Sequence, residues 1–400
     1  IKIEYVPVTT FRHIFEVTDG TKRYVEKSAT QSILPNQYHN PVATNDSAAC
    51  LTIKNTLAVT FEEEFNTVLK FGAMVYAMNE CQRHTTAIGR EESIVNLNPF
   101  PQSNSYNDVI TNTLHLMPDT LFGQRWTNNT YVGGALYKHR GQYVHYGFDG
   151  NICVLGYKLG EFQVNGHVDA GFRLGKDSMT ITAKAFFRNE VPDYYLTHYR
   201  SNPYRWDNDF QRPLRLQVSG EIAYPTQWVK PKLNVSFENI TNHGTPKQVD
   251  SNIQVLAADL QLNITTPWVN LDNHVVYQHS SSDKLPLPAI TLYHNLYYHG
   301  CWFKALDTQI GVDMRFFTKY YAPILNPALG QFCVQDQEQV GNYPVMNVYA
   351  NFYVKSLRLK LFAQYQHFNA SFMNKQYFEM PGYPMAPDMF RAGLAWHFYK

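Results

Sequence analysis

Residues 388–400 read DMFRAGLAWHFYK, and no other stretch narrows the choice of fold as much. Taken with period two, Phe390, Ala392, Leu394, Trp396 and Phe398 share one face. Arg391, Gly393, Ala395, His397 and Tyr399 share the other. Successive side chains of a β-strand point to opposite sides, so this alternation specifies a strand with one apolar face. Such a face is buried against a second sheet or against lipid. Aromatic residues at both ends of the apolar row favour lipid, because a strand that crosses a bilayer places amphipathic rings at the two interfaces.

The pattern recurs along the chain. In Leu51–Glu62, residues Leu51, Ile53, Leu57, Val59 and Phe61 oppose Thr52, Lys54, Thr56, Thr60 and Glu62. Leu69–Ala77, Phe162–Leu174, Leu214–Tyr224, Leu306–Phe317 and Met346–Val354 alternate in the same way, as do Leu357, Leu359 and Leu361 against Arg358 and Lys360. Ile1–Thr18 alternates loosely, and Asp19-Gly20 is either a tight turn or a bulge within a longer strand. Ala87–Trp126 breaks the pattern and reads as a long loop. The count predicts an all-β chain, a transmembrane antiparallel β-barrel of about sixteen strands, with roughly 14 to 18 as the range. The domain expected is one outer-membrane barrel over residues 1–400, standing alone or as the C-terminal part of a longer chain.

Connection lengths carry a second signal. From the C-terminus backward, Asn369–Pro387, Lys319–Asn342, His279–Pro288, Ile240–Asp250 and Val191–Pro213 are long. Lys355-Ser356, Gly300–Lys304, Thr265–Trp268, Pro225–Trp228 and Gly175–Asp177 alternate with them and are short. Short periplasmic turns and long extracellular loops are the habit of outer-membrane barrels. Lys158–Glu161 is the exception, a short turn where a long loop is due.

Composition agrees. No run of about eighteen apolar residues exists and mean hydropathy is −0.36, which excludes transmembrane helices but not strands, whose lipid-facing residues alternate with polar ones. Tyr, Phe and Trp make up 15% of the chain, enough to furnish interfacial girdles. A net charge of +1 offers no argument for nucleic acid. The five cysteines show neither a disulfide framework nor metal-ligand spacing.

The stretches LTHYRSNPYRWDNDF (196–210), SNIQVLAADL (251–260), VVYQHSSSDKLPLPAITLYHNLYY (275–298) and RFFTKYYAPILNPALGQFCVQDQEQVGNYPVMNVYANF (315–352) resemble the putative porins of Bacteroidetes, as does the closing GLAWHFYK. The resemblance runs from Val6 to the end. It implies an outer-membrane β-barrel and, since members of that family carry further strands before the position of Val6, a missing N-terminal region. It supplies no catalytic residues.

Function is sought on the polar faces, which such a barrel turns to its lumen. The candidate pore-lining residues are Lys54, Lys70, His167, Asp169, Arg173, Lys184, Arg188, Arg215, Glu221, Lys232, Glu238, Asp313, Arg315, Arg358, Lys360 and Arg391. They either attract and orient solutes or pair across strands and brace the wall. Pro192–Pro213, rich in Tyr, Arg and Trp, reads as a packed surface loop, its Asp207-Asn208-Asp209 lacking calcium-loop spacing. The loop to Asn342 reads the same way. Ala87–Trp126, with apolar clusters at Ile94–Phe100 and Leu114–Phe122, is expected to fold into the mouth toward Arg173, Lys184 and Arg188. No HExxH, GxSxG or phosphate-binding glycine loop is present. The reading is therefore a non-enzymatic porin without cofactor or metal, passing small polar solutes by diffusion in contact with outer-membrane lipid, as a monomer, a homo-oligomer or beside partner proteins. The alternatives are a plugged barrel serving as subunit or anchor of an assembly, and a barrel hydrolase.

Overall fold

A computed structural model describes residues 9–26, 44–63, 71–88, 121–141, 143–244, 248–249, 252–373 and 377–398. Its framework is one antiparallel sheet of sixteen strands joined in sequence order. They are β1 (Thr9–Glu26), β2 (Thr44–Phe61), β3 (Gly72–Ile88), β4 (Leu121–Lys138), β5 (Val144–Gly156), β6 (Phe162–Leu174), β7 (Asp177–Asn189) and β8 (Leu214–Ala223). β9 (Val229–Thr241), β10 (Ile253–Thr265), β11 (Val269–Ser280), β12 (Ile290–Trp302), β13 (Leu306–Phe317), β14 (Val345–Val354), β15 (Leu359–Gln366) and β16 (Met389–Trp396) complete it. Each strand pairs with its sequence neighbours, and among the described residues β1 and β16 pair on one side only.

Register pairs lie on one face, so the pairing carries the apolar rows from strand to strand. One row runs Phe11, Val59, Val75, and on through Gly134 and Gly150 to Val164, Phe187 and Leu216. Another runs Leu296, Val312, Val348, Tyr365 and Phe390. These side chains are well exposed, Leu394 at 68% and Phe390 at 67%, although the sheet has a second face against which loops are folded. An apolar surface of that extent left facing outward is what lipid, not water, accommodates.

Connections differ between the two ends. At one end the strands turn over residues 139–143, 175–176, 224–228, 266–268, 303–305 and 355–358. Exposed aromatics rim this end: Tyr143, Trp228, Trp268, Phe303, Trp396 and Phe398. At the other end the chain runs through 190–213, 242–252, 281–289, 318–344 and 367–388, and among the described connections residues 157–161 are short.

Several boundaries differ from the sequence reading. β1 passes through Asp19-Gly20 in unbroken register with β2, so this dipeptide is neither turn nor bulge. β2 begins at Thr44, and β3 runs on to Ile88 to pair with Leu121 at the start of β4. The sequence assigned Leu121–Trp126 to a loop because Gln124-Arg125-Trp126 and their partners Arg83-His84-Thr85 show no period-two alternation. What remains of that loop lies outside the described residues, and with it the expected constriction by Ala87–Trp126. Arg358 is not a wall residue. It sits at φ 52° in the turn before β15, where the left-handed backbone closes the hairpin.

Candidate functional site

Alternation puts the charged candidates on the face opposite the apolar rows. Paired positions there include His167 with Lys184, Asp169 with Thr182, and Arg188 with Arg215. Arg215 donates to Glu238 at 2.6 Å, and Lys232 meets Glu221 at 3.0 Å. Thr182 donates to Asp169 at 2.6 Å and Asn347 to Asp313 at 2.7 Å. Arg315 lies over the ring of Tyr293 and Lys360 over that of Tyr353. Arg173 faces Ser178 near the short-turn end, and Arg391 faces Gln364 on the last strand pair. Lys70 lies outside the described residues. The candidates therefore form no single constellation. Those on the strands are spread over the charged face of the sheet strand by strand, some braced in pairs.

Lys54 belongs to a buried cluster that the sequence did not reveal. Its Nζ lies 3.6 Å from Glu80 on β3, and Lys158 approaches the same carboxylate at 2.9 Å. Asn129 donates to Glu80 and accepts from the Lys158 backbone N–H at 2.8 Å. On the other side of the short 157–161 connection, Tyr131 donates to Glu161 at 2.7 Å. Tyr131 lies opposite the buried Cys153 on the inner face, and a register shift directly beyond them sets Thr130 opposite Leu155. This connection is short because it is pinned down onto the wall.

The mouth at the long-loop end is occupied. Residues 190–213 leave β7, form a one-turn helix α1 (Tyr194–Thr197) capped by Asp193, and cross to the inner face of β1–β3. Tyr195 donates to the backbone carbonyls of Ala49 and Thr85. The Asn202 backbone N–H donates to Asp46 at 2.8 Å and its side chain to Thr44 at 2.9 Å. Tyr194 stacks on His84 with ring centroids 4.2 Å apart. β2 and β3 lie five and four strands along the sheet from β7, which the loop leaves, so these contacts require the sheet to curl round a common interior. Residues 318–344 close in from another side. Asn326 donates to the Tyr204 hydroxyl at 2.7 Å, and Leu329 packs with Ala48 and Tyr199 in a small buried core.

Burial has electrostatic consequences in the loop. The Tyr199 hydroxyl, stripped of water, is pushed up to about 12, and that of Tyr195 is also raised. Asp207, exposed at the outer tip, is held below the usual carboxylate range by the hydrogen bond from His198, which lies 2.9 Å away. The loops read from sequence as surface segments thus fold inward as a packed cover. Their signal was compositional: Tyr194, Tyr195, Tyr199, Tyr204 and Trp206 are more aromatic surface than a solvated loop would expose. Ser201, in the middle of this loop, is 2% exposed.

Among solved structures, the chain is similar to the siderophore receptor PirA from Acinetobacter baumannii, with TM-score 0.60 and 9% identity over 96% of this chain and 59% of that one. It is similar to the ferric yersiniabactin uptake receptor FyuA from Yersinia pestis, with TM-score 0.58 and 11% identity over 98% of this chain and 57% of that one. It also resembles the copper transporter OprC, with TM-score 0.58 and 10% identity over 90% of this chain and 56% of that one. The chain spans a little over half the length of these structures, and at such identities the likeness is one of fold, that of an outer-membrane β-barrel. No curated protein matches it. A family model described as "Putative porin" matches residues 1–400.

Proposed function

The chain belongs to the "Putative porin" family of the bacterial outer membrane, and on that footing we propose that it passes small polar solutes by diffusion along its charged inner wall. The observation that carries this reading is the segregation of the two faces. Apolar side chains stand exposed on one, while the other holds Lys184, Arg188, Arg215, Glu238, Glu221 and Lys232 on adjoining strands. Charged side chains on the inside of a barrel are stable only if water reaches them or partners neutralise them; Arg215 and Lys232 pair with Glu238 and Glu221, while Lys184 makes no ion pair among the described residues. The family and the transporter and receptor barrels of similar fold support transport rather than catalysis. What those receptors carry is not transferred to this chain at such low identity.

The inward loops 190–213 and 318–344 set the width of the path in this reading, in the place assigned from sequence to residues 87–126. The same loops are the observation that favours a second reading, a plugged barrel that anchors partner proteins. Swelling of liposomes loaded with the purified full chain decides between them. Sugars and amino acids of graded size should enter at rates that fall with size. Liposomes as tight as protein-free controls would contradict diffusion and favour the plug.

A further inference from the structure

On β7 and β8 the inner wall gathers cations that their neighbours only partly balance. Arg188 on β7 and Arg215 on β8 are directly opposite in register, a like-charge pair that is unfavourable unless something offsets it. The two guanidinium carbons lie 4.4 Å and 5.8 Å from the centroid of the Phe186 ring, which takes up part of the repulsion. Glu238 is the carboxylate within reach, and it is committed to Arg215, accepting from Nε at 2.8 Å and Nη2 at 2.6 Å. Arg188 has only a 3.3 Å contact from Nη2 to Asn165, and its Nε is sealed from solvent with no acceptor among the described residues. Two positions along β7, Lys184 stands between His167 and Ser219 and makes no ion pair among the described residues. Asp169 and Asp149 stand nearby, each held by a neutral donor, Thr182 and Asn165, rather than by a cation.

A cavity of about 330 Å³ opens at this place, lined by Lys184, His167, Asn165, Phe186, Gln217 and Ser219. It is at mid-height of the wall, below the loops. Its lining combines a cation with hydroxyl and amide donors around an apolar ring, the equipment that holds an oxyanion. We propose that this patch is a binding subsite for small solutes carrying a carboxylate or phosphate group. The ammonium of Lys184 and the donors of Ser219 and Gln217 engage the anionic oxygens, while the bound charge relieves the Arg188–Arg215 repulsion. This rests on the reading of the inner wall as a solute path, and it makes that path selective for anions.

The test has two arms on the full chain in detergent and in planar bilayers. Calorimetric titration with inorganic phosphate and with succinate should show saturable binding, and the stronger of the two identifies the preferred oxyanion. Lys184→Gln should weaken that binding about tenfold, the loss of one charge-assisted contact. Lys304→Gln, in a tight turn far from the cavity, should leave it unchanged. In the bilayer, the reversal potential in a KCl gradient should report anion preference that Lys184→Gln reduces. Conductance without anion preference, together with no binding of either probe, overturns the subsite and leaves the diffusion reading intact. Binding that depends on Lys184 in a barrel that conducts nothing upholds the subsite and removes diffusion. Equal binding by wild type, Lys184→Gln and Lys304→Gln also overturns it. Circular dichroism of each variant confirms that the barrel has assembled.

Discussion

The two ends of the sheet are built on opposite principles. The short-turn end is local. Hairpins such as 266–268 close over Thr266, whose hydroxyl donates to the Val269 carbonyl and accepts the Val269 N–H at 3.0 Å. Trp268 and Phe303 there are well exposed. The long-loop end is non-local. Tyr195 reaches carbonyls of β2 and β3, and Tyr204 of one loop accepts from Asn326 of another. Trp228, Trp268 and Phe303 at the first end stand exposed, while Tyr194, Tyr195, Tyr199 and Trp206 at the second pack on each other and on the inner wall. One end is thus an exposed rim, and the other a cover packed onto the charged face of the sheet.

The largest effect should come from breaking the lipid-facing half of this contrast. Leu394→Arg puts a charge on the outer row at a cost of roughly 2–4 kcal/mol on a barrel's lipid face. Ala395→Arg, one residue along, turns its charge inward beside Lys360 and should be far milder. Folded yield in outer membranes measures the difference. Equal assembly of the two variants would contradict the assignment of the faces, and a worse outcome for Ala395→Arg would show them exchanged.

A smaller effect is expected from loosening the cover. Asp46→Ala with Tyr195→Phe removes the acceptor of Asn202 N–H and the two bonds of the Tyr195 hydroxyl, worth together about 2–3 kcal/mol. Hydrogen exchange over residues 194–206 should accelerate while that of β12–β15 stays as it was. Acceleration throughout would show that the loop supports the wall rather than resting on it.

Sidedness sharpens the comparison without changing stability. Cysteines placed at Gln337, exposed in the 318–344 loop, and at Ser356, exposed in a tight turn, should label differently on intact cells. Ser201 cannot serve for this purpose, because it is buried beneath the loop. Equal labelling would remove the assignment of long loops to the cell exterior.

What could be read in the sequence follows the same division. Period-two alternation gave β6 and β13 to the residue, because each residue's face is decided locally by lipid or water. It also put Lys184, Arg188, Arg215 and Glu238 on the inner side. It failed where that solvent contrast ends, at Cys81–Ile88 and Leu121–Trp126, and at Arg358, whose turn depends on backbone handedness. The cover was illegible for another reason. Asp46 and Asn202, or Glu80 and Lys158, are far apart in sequence, and no periodicity encodes which strand a loop will meet.

Single-channel conductance of the full chain in a planar bilayer, with and without the Asp46→Ala and Tyr195→Phe pair, tests the central claim most directly. The account predicts discrete steps for the wild type and larger steps, at unchanged strand content, once residues 190–213 are released. Steps of the same size in both, or none in either, would contradict a channel whose width is set by that loop.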